Sequence, residues 1–393
     1  MRTLITGIGT VVSGDIAAPL LDADSIVIAD GRIEAIGRGL DADADVVIDA
    51  KGTTVVPGLI DSHAHPVFGD YTPRQRTSDF IESSLHGGVT TMISAGEPHL
   101  PGRPKDIPGL KALAIAVNHS YANVRPGGVK VRAGAPILEL GMVEADFVEL
   151  AAAGVRLIGE IGLGSVKSGA DAAPMVAWGR ANGLISTYHT GGPSLPGSGA
   201  IGADAVLEAN PHIAGHINGG TTSLPERDIA RLIESESRVA LELVHCGNGR
   251  TALVALGAAA EAHALDRVIL GNDAPSGTGV VPLGILRLIA HLASLGGIAP
   301  ETVVCLATGN TARVHDLDVG VLEPGKAADL CIVDAPVGSV ADTALGALAN
   351  GDLFGISMIL VDGTPLIARS RNTAPAARAA EIVKGPAIGG GGH

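Results

Sequence analysis

The sequence predicts an α/β fold, a parallel (β/α)₈ barrel of the TIM type joined to a small β-sandwich built by both chain termini. Three observations carry this prediction. From residue 57 onward, a short apolar strand and a helical stretch alternate eight times across roughly 240 residues. The segments before and after that region read as short strands joined by tight turns. No complete phosphate-binding glycine motif is present, which disfavours an open doubly wound sheet.

Taken in order, strands are predicted over 3–8, 10–12, 25–29, 32–36, 46–49 and 53–56, with Asp30-Gly31 as a hairpin turn signal. Gly7-Ile8-Gly9-Thr10 begins like a dinucleotide-binding loop, but neither the third glycine nor a helix follows. Barrel strands are predicted over 58–65, 90–95, 129–133, 155–161, 184–189, 213–217, 239–244 and 267–273. Helices fall between them over 77–86, 110–124, 144–152, 174–181, 225–236 and 251–264, and two more over 282–295 and 301–307. The run from Val319 to Asp334 ends in an alternating strand, and Asp362-Gly363 marks a last hairpin. The chain thus divides into residues 1–56 (first part of the sandwich), 57–315 (barrel) and 316–378 (second part of the sandwich and a C-terminal segment). Residues 379–393, ending in a glycine run, are predicted to be a flexible tail.

Composition narrows the function. The 393 residues are 46% hydrophobic but only 2% aromatic, so Ala, Val, Ile, Leu and 55 glycines carry the packing. A net charge of −14, from 27 basic and 41 acidic residues, disfavours nucleic acid or an anionic membrane as partner. Cys246, Cys305 and Cys331 lack metal-binding or disulfide spacing, which fits a reducing cytoplasm. With no signal-peptide profile and no long apolar run, the expectation is a soluble cytoplasmic protein.

The segment Val55-Val56-Pro57-Gly58-Leu59-Ile60-Asp61-Ser62-His63-Ala64-His65 carries the strongest chemical signal. Residues two apart on a strand point the same way, so His63 and His65 can face one cation. Glu160, His189, His216 and Asp273 each end a later predicted strand. In a barrel those ends open on one face, where active sites are found. Singly, each has an ordinary reading: a satisfied polar histidine, an N-cap, a turn carboxylate. Together they form a donor set of four imidazoles and two carboxylates, suited to zinc or ferrous iron rather than calcium. Six protein ligands are too many for one catalytic ion that keeps an open position. Two divalent ions sharing a bridging carboxylate and a bridging hydroxide are the arrangement expected. Asp273 is the candidate catalytic base and acid. Tyr71, Arg74, Arg103 and Lys105, in loops after the first two strands, and His245, after the seventh, are candidate substrate contacts.

His63-Ala64-His65, His189, His216 and Asp273 in that order, with the return strand Pro324-Gly325-Lys326-x-Ala328-Asp329-Leu330, resemble the metal-dependent amidohydrolase superfamily. Many binuclear members place a carboxylated lysine where Glu160 stands here; Lys167 lies seven residues further on. Longer stretches resemble the enamidase branch of that superfamily: Gly69-Asp70-Tyr71-x-Pro73-Arg74-Gln75, Leu85 to Gly96, Pro101 to Asp106 and Gly271 to Gly279. This resemblance implies hydrolytic ring opening of 6-oxo-1,4,5,6-tetrahydronicotinate with a bridging glutamate, in a homotetramer. Barrel loops change specificity easily, so another cyclic amide, imide, lactam or ester is the alternative substrate.

Overall fold

The computed structural model describes residues 1–66, 71–72, 75–98, 100, 102–195, 197–220, 222–275, 279–386 and 388; of 71–72 and 75–78 it describes the backbone alone. Eight parallel strands run Leu59–Ala64, Val89–Ser94, Lys130–Arg132, Leu157–Ile161, Ile185–His189, Ile213–Gly215, Ala240–Val244 and Val268–Gly271. The first three form one ladder and the last five another, each with sequential neighbours. Backbone hydrogen bonds close the ring at both seams. Asp273 N–H donates to His63 O (2.8 Å) and His65 N–H to Ala274 O (3.0 Å), joining the eighth strand to the first. Gly159 N–H donates to Pro136 O (3.0 Å) at the seam between the third strand and the fourth. Gly159 is needed there, because a Cβ would come within 2.8 Å of Ala95 O and 2.9 Å of Ala135 O.

Burial on both sheet faces explains why these strands read as continuous apolar runs. At the N-terminal end of the ring, Ile213, Ala240 and Ile269 pack with Ile185 and Val314. At the other end stand the charged and imidazole side chains.

Seven of the predicted helices lie within a few residues of their observed bounds. The fourth, Gly169–Ala181, starts earlier than predicted because Ser168 Oγ accepts the Asp171 N–H (3.1 Å), which places Pro174 inside the helix. A short helix over Ala203–Ala209, between the fifth strand and the sixth, was not predicted. The stretch predicted over 301–307 continues through Leu306–Asn310 and Thr311–Val314.

Beside the barrel, two sheets form the sandwich, and both termini contribute. One is ordered Glu381–Lys384, Val46–Asp49, Arg2–Thr6, Ser25–Ala29, Arg32–Gly37. The other runs Thr364–Ile367, Gly355–Val361, Leu330–Asp334, Thr54–Pro57, Thr10–Val12, Leu20–Leu21. Ile5, Ile26, Ile28 and Ile48 pack against Val55, Leu330, Ile332, Met358 and Leu360 across the interface. One expectation needs correction. Part of the predicted tail at 379–393 is a strand, since Glu381–Lys384 pairs antiparallel with Val46–Asp49 and ends that sheet.

Candidate metal centre

All six predicted ligands meet at the C-terminal mouth of the barrel. Glu160 sits at their centre, 2% exposed. Its Oε1 lies 2.7 Å from His216 Nε2, 3.0 Å from His189 Nδ1 and 3.8 Å from His63 Nε2. Its Oε2 lies 3.8 Å from His65 Nε2. Asp273 Oδ1 is 3.2 Å from His65 Nε2 and 3.8 Å from His63 Nε2. Two ligand groups result, His63–His65–Glu160 and Glu160–His189–His216, and Glu160 belongs to both.

Local backbone geometry aims these groups. His216 and Asp273 adopt φ of +34° and +60°, values that most residues avoid. Both stand where the strand ends and the chain turns sharply over the mouth. Gly271 makes room for the first strand, as a Cβ there would meet His63 Cβ at 2.6 Å.

The electrostatics are those of a cation site. Burial opposes charge on His63, but Glu242, Glu160 and Asp273 overcome it and push its pKa up to about 10. Burial likewise opposes ionisation of Glu160, yet hydrogen bonds from His189 and His216 and the His63 charge hold it well below the usual carboxylate range. Asp273 is also lowered, by the His65 hydrogen bond and the His63 and His216 charges acting against burial. A proton on His63 and a metal ion compete for the same lone pair. His63 Nε2 is buried and has no hydrogen-bond partner among the described residues. An unpartnered imidazole nitrogen facing two ionised carboxylates fits a divalent ion.

Residues around the ligands fix their orientation. His65 Nδ1 pairs with Gly96 O (3.0 Å) and His189 Nε2 with Gly192 O (3.1 Å). Asp61 Oδ1 accepts the His63 and Asn272 N–H groups (3.1 and 2.9 Å), tying the first strand to the eighth. Burial raises the Asp61 carboxyl to about 7, against those two hydrogen bonds. Glu242, in the seventh strand, bonds His63 Nδ1 at 2.7 Å. The sequence reading missed both. Glu242 is a single acid inside an otherwise apolar strand, Ala240–Val244, whereas Asp61 shares its strand with Ser62 and His63.

The predicted substrate contacts fare differently. The Arg103 side chain is 8% exposed and its Nη2 pairs with Glu139 Oε1 at 3.1 Å, while Nη1 has no partner among the described residues. Lys105 is exposed just before the N-cap Asp106 and makes no ion pair among the described residues. Tyr71 lies in a short backbone hairpin with Gln75–Arg76, and its side chain is outside what is described. Arg74 lies outside the described residues. His245 is half-buried beyond the seventh strand and its N–H donates to Gly271 O (3.0 Å). Its Nδ1 is unpartnered among the described residues, and burial, then Arg287 and His291, lower its pKa. Lys167 turns away from the centre, its Nζ donating to Gly197 O.

A family model described as the amidohydrolase family matches residues 176–366. Enamidase from Eubacterium barkeri is 54% identical over 385 residues, covering 97% of this chain and 100% of the relative. The chain belongs to the amidohydrolase family. A crystal structure of enamidase, a member of the amidohydrolase superfamily, superposes with a TM-score of 0.94 at 53% identity, over 98% of this chain and 100% of that one. A more distant relative is imidazolonepropionase of Streptomyces avermitilis, 28% identical over 358 residues, covering 81% of this chain and 83% of the relative. No helix among the described residues is long and apolar enough to cross a membrane.

Proposed function

We propose that this amidohydrolase is a binuclear metal-dependent enzyme that opens a cyclic amide. Its substrate on this reading is 6-oxo-1,4,5,6-tetrahydronicotinate, and its products are 2-formylglutarate and ammonia. The single observation that carries the two-ion reading is Glu160, shared by both ligand groups at the barrel mouth. The full-length similarity to enamidase supports the substrate.

His63, His65 and Asp273 would hold one divalent ion, His189 and His216 the other, with Glu160 between them; zinc and iron suit this donor set. Such ions supply Lewis-acid polarisation of a carbonyl and a water acidified towards neutral pH. The protein does the rest. Asp273, kept ionised by its surroundings, accepts a proton from water and delivers it to the departing ring nitrogen. Cleaving the C–N bond of a cyclic enamide leaves an enamine, which tautomerises to an imine. A second water adds to the imine carbon and expels ammonia, leaving an aldehyde.

The substrate carries a carboxylate. Arg103 supports its capture: Glu139 Oε1 holds one guanidinium nitrogen, Glu139 Oε2 accepts the Ser165 N–H (2.8 Å), and Nη1 is left over. The same reading makes the chain a cytoplasmic homotetramer of nicotinate breakdown, a view that rests on the likeness to enamidase.

The test is loss of the tetrahydro-oxonicotinate absorbance with stoichiometric ammonia release, abolished by a chelator and restored by added metal. Turnover of a different cyclic amide, imide, lactam or ester instead would reject the substrate and keep the chemistry. A metal-loaded protein that hydrolyses none of them would reject the enzyme reading.

A further inference from the structure

Glu242 lies at the middle of the seventh strand, flanked by Leu241 and Leu243, and is completely buried. No lysine or arginine pairs with it among the described residues. Its partners are three groups at the metal centre. Ser62 Oγ donates to Oε1 at 2.5 Å. Oε2 accepts from His63 Nδ1 at 2.7 Å and from the His216 backbone N–H at 3.2 Å.

The two bonds to Oε2 join the two halves of the centre. A carboxylate accepts but cannot donate, so the proton of neutral His63 is held on Nδ1. Nε2 then offers its lone pair toward Glu160 and Asp273. The sixth and seventh strands pair at Ile213↔Ala240 and Ala214↔Leu241. Past that ladder, the left-handed turn at His216 directs its N–H to the Glu242 side chain. His63 belongs to one ligand group and His216 to the other. One carboxylate oxygen therefore sets the orientation of a ligand on each side.

We propose that Glu242 is a positioning residue that couples the two ion sites, holding His63 in its Nδ1–H form and His216 in its strained turn. This builds on the two-ion reading above. Partners that orient metal ligands change affinity by about 10- to 100-fold when removed.

The experiment compares the wild-type chain with Glu242→Gln, a variant of nearly the same shape, by zinc titration against a competing chelator. We expect two zinc ions in the wild type and both dissociation constants raised about 10-fold or more in the variant. A two-ion wild type whose constants are unchanged in the variant, whatever happens to the unfolding temperature, overturns the role of Glu242. A wild type that takes up only one ion refutes the two-ion reading and the coupling with it. ¹⁵N NMR of the histidine rings in the wild-type zinc form needs no variant to fold. The expected signature is a His63 ring protonated at Nδ1; protonation at Nε2 overturns the proposal.

Discussion

Replacing Arg103 and Glu139 separately and together distinguishes a structural ion pair from a substrate clamp. Their side chains are 8% and 6% exposed and meet at 3.1 Å. Arg103→Met leaves a buried carboxylate whose remaining support among the described residues is the Ser165 N–H, a loss of about 3–5 kcal/mol in stability. Replacing both residues by Met removes both charges, and such a swap is neutral or stabilising by about 1–4 kcal/mol. The double variant should therefore regain wild-type stability in urea unfolding. Substrate recognition should not follow. A hydrogen bond to a charged group contributes about 1.5–3 kcal/mol, so losing one from Nη1 to a substrate carboxylate lowers kcat/KM about 10- to 150-fold. That loss should persist in the double variant, measured by steady-state kinetics on the carboxylated cyclic amide. If kcat/KM recovers together with stability, Arg103 serves the loops and not the substrate.

Other outcomes follow from the same geometry. Asp273→Asn cannot take a proton, so kcat should fall by about 10²- to 10⁴-fold in initial-rate assays; a wild-type rate would remove Asp273 from proton transfer. Buried His315 is lowered from 6.5 to about 4, by burial first, with Glu242 pulling the other way. The unfolded chain binds a proton between those values that the folded chain does not, so stability rises with pH across that window and is lost as pH falls through it. His315→Gln should flatten that acid limb by about 1–3 kcal/mol, read from urea unfolding at pH 4 and 6.5; an unchanged difference would count against it. Removing residues 379–393 should destabilise the sandwich by about 1–2 kcal/mol, because the strand bonded to Val46–Asp49 is lost. An unfolding midpoint equal to that of the whole chain would show that this strand contributes nothing.

The barrel and the meeting of six candidate ligands at its mouth were legible because both follow from short-range patterns. Parallel strands buried on both faces give apolar runs, and residues that end such runs project into one mouth. His63, His65, Glu160, His189, His216 and Asp273 are all of that kind. Glu242 was not legible as a positioning group, because its partner His63 lies 179 residues away and only ring closure brings them together. The helix Ala203–Ala209 escaped because seven residues after a Gly- and Pro-rich stretch give too little periodicity. Glu381–Lys384 reads as tail because it is short, mostly exposed and close to the terminal glycines; what makes it a strand is an edge offered by Val46–Asp49. Arg103 and Lys105 look equivalent in sequence, as cations in one loop. The fold separates them, since only Arg103 finds a buried acid.

Metal content measured by elemental analysis, on the wild-type chain and on Glu160→Gln, tests the central claim most directly. The account predicts about two divalent ions per wild-type chain, falling to one or fewer in the variant, with hydrolysis lost in parallel. One ion per chain in both proteins, with activity retained when Glu160 is neutral, would contradict it.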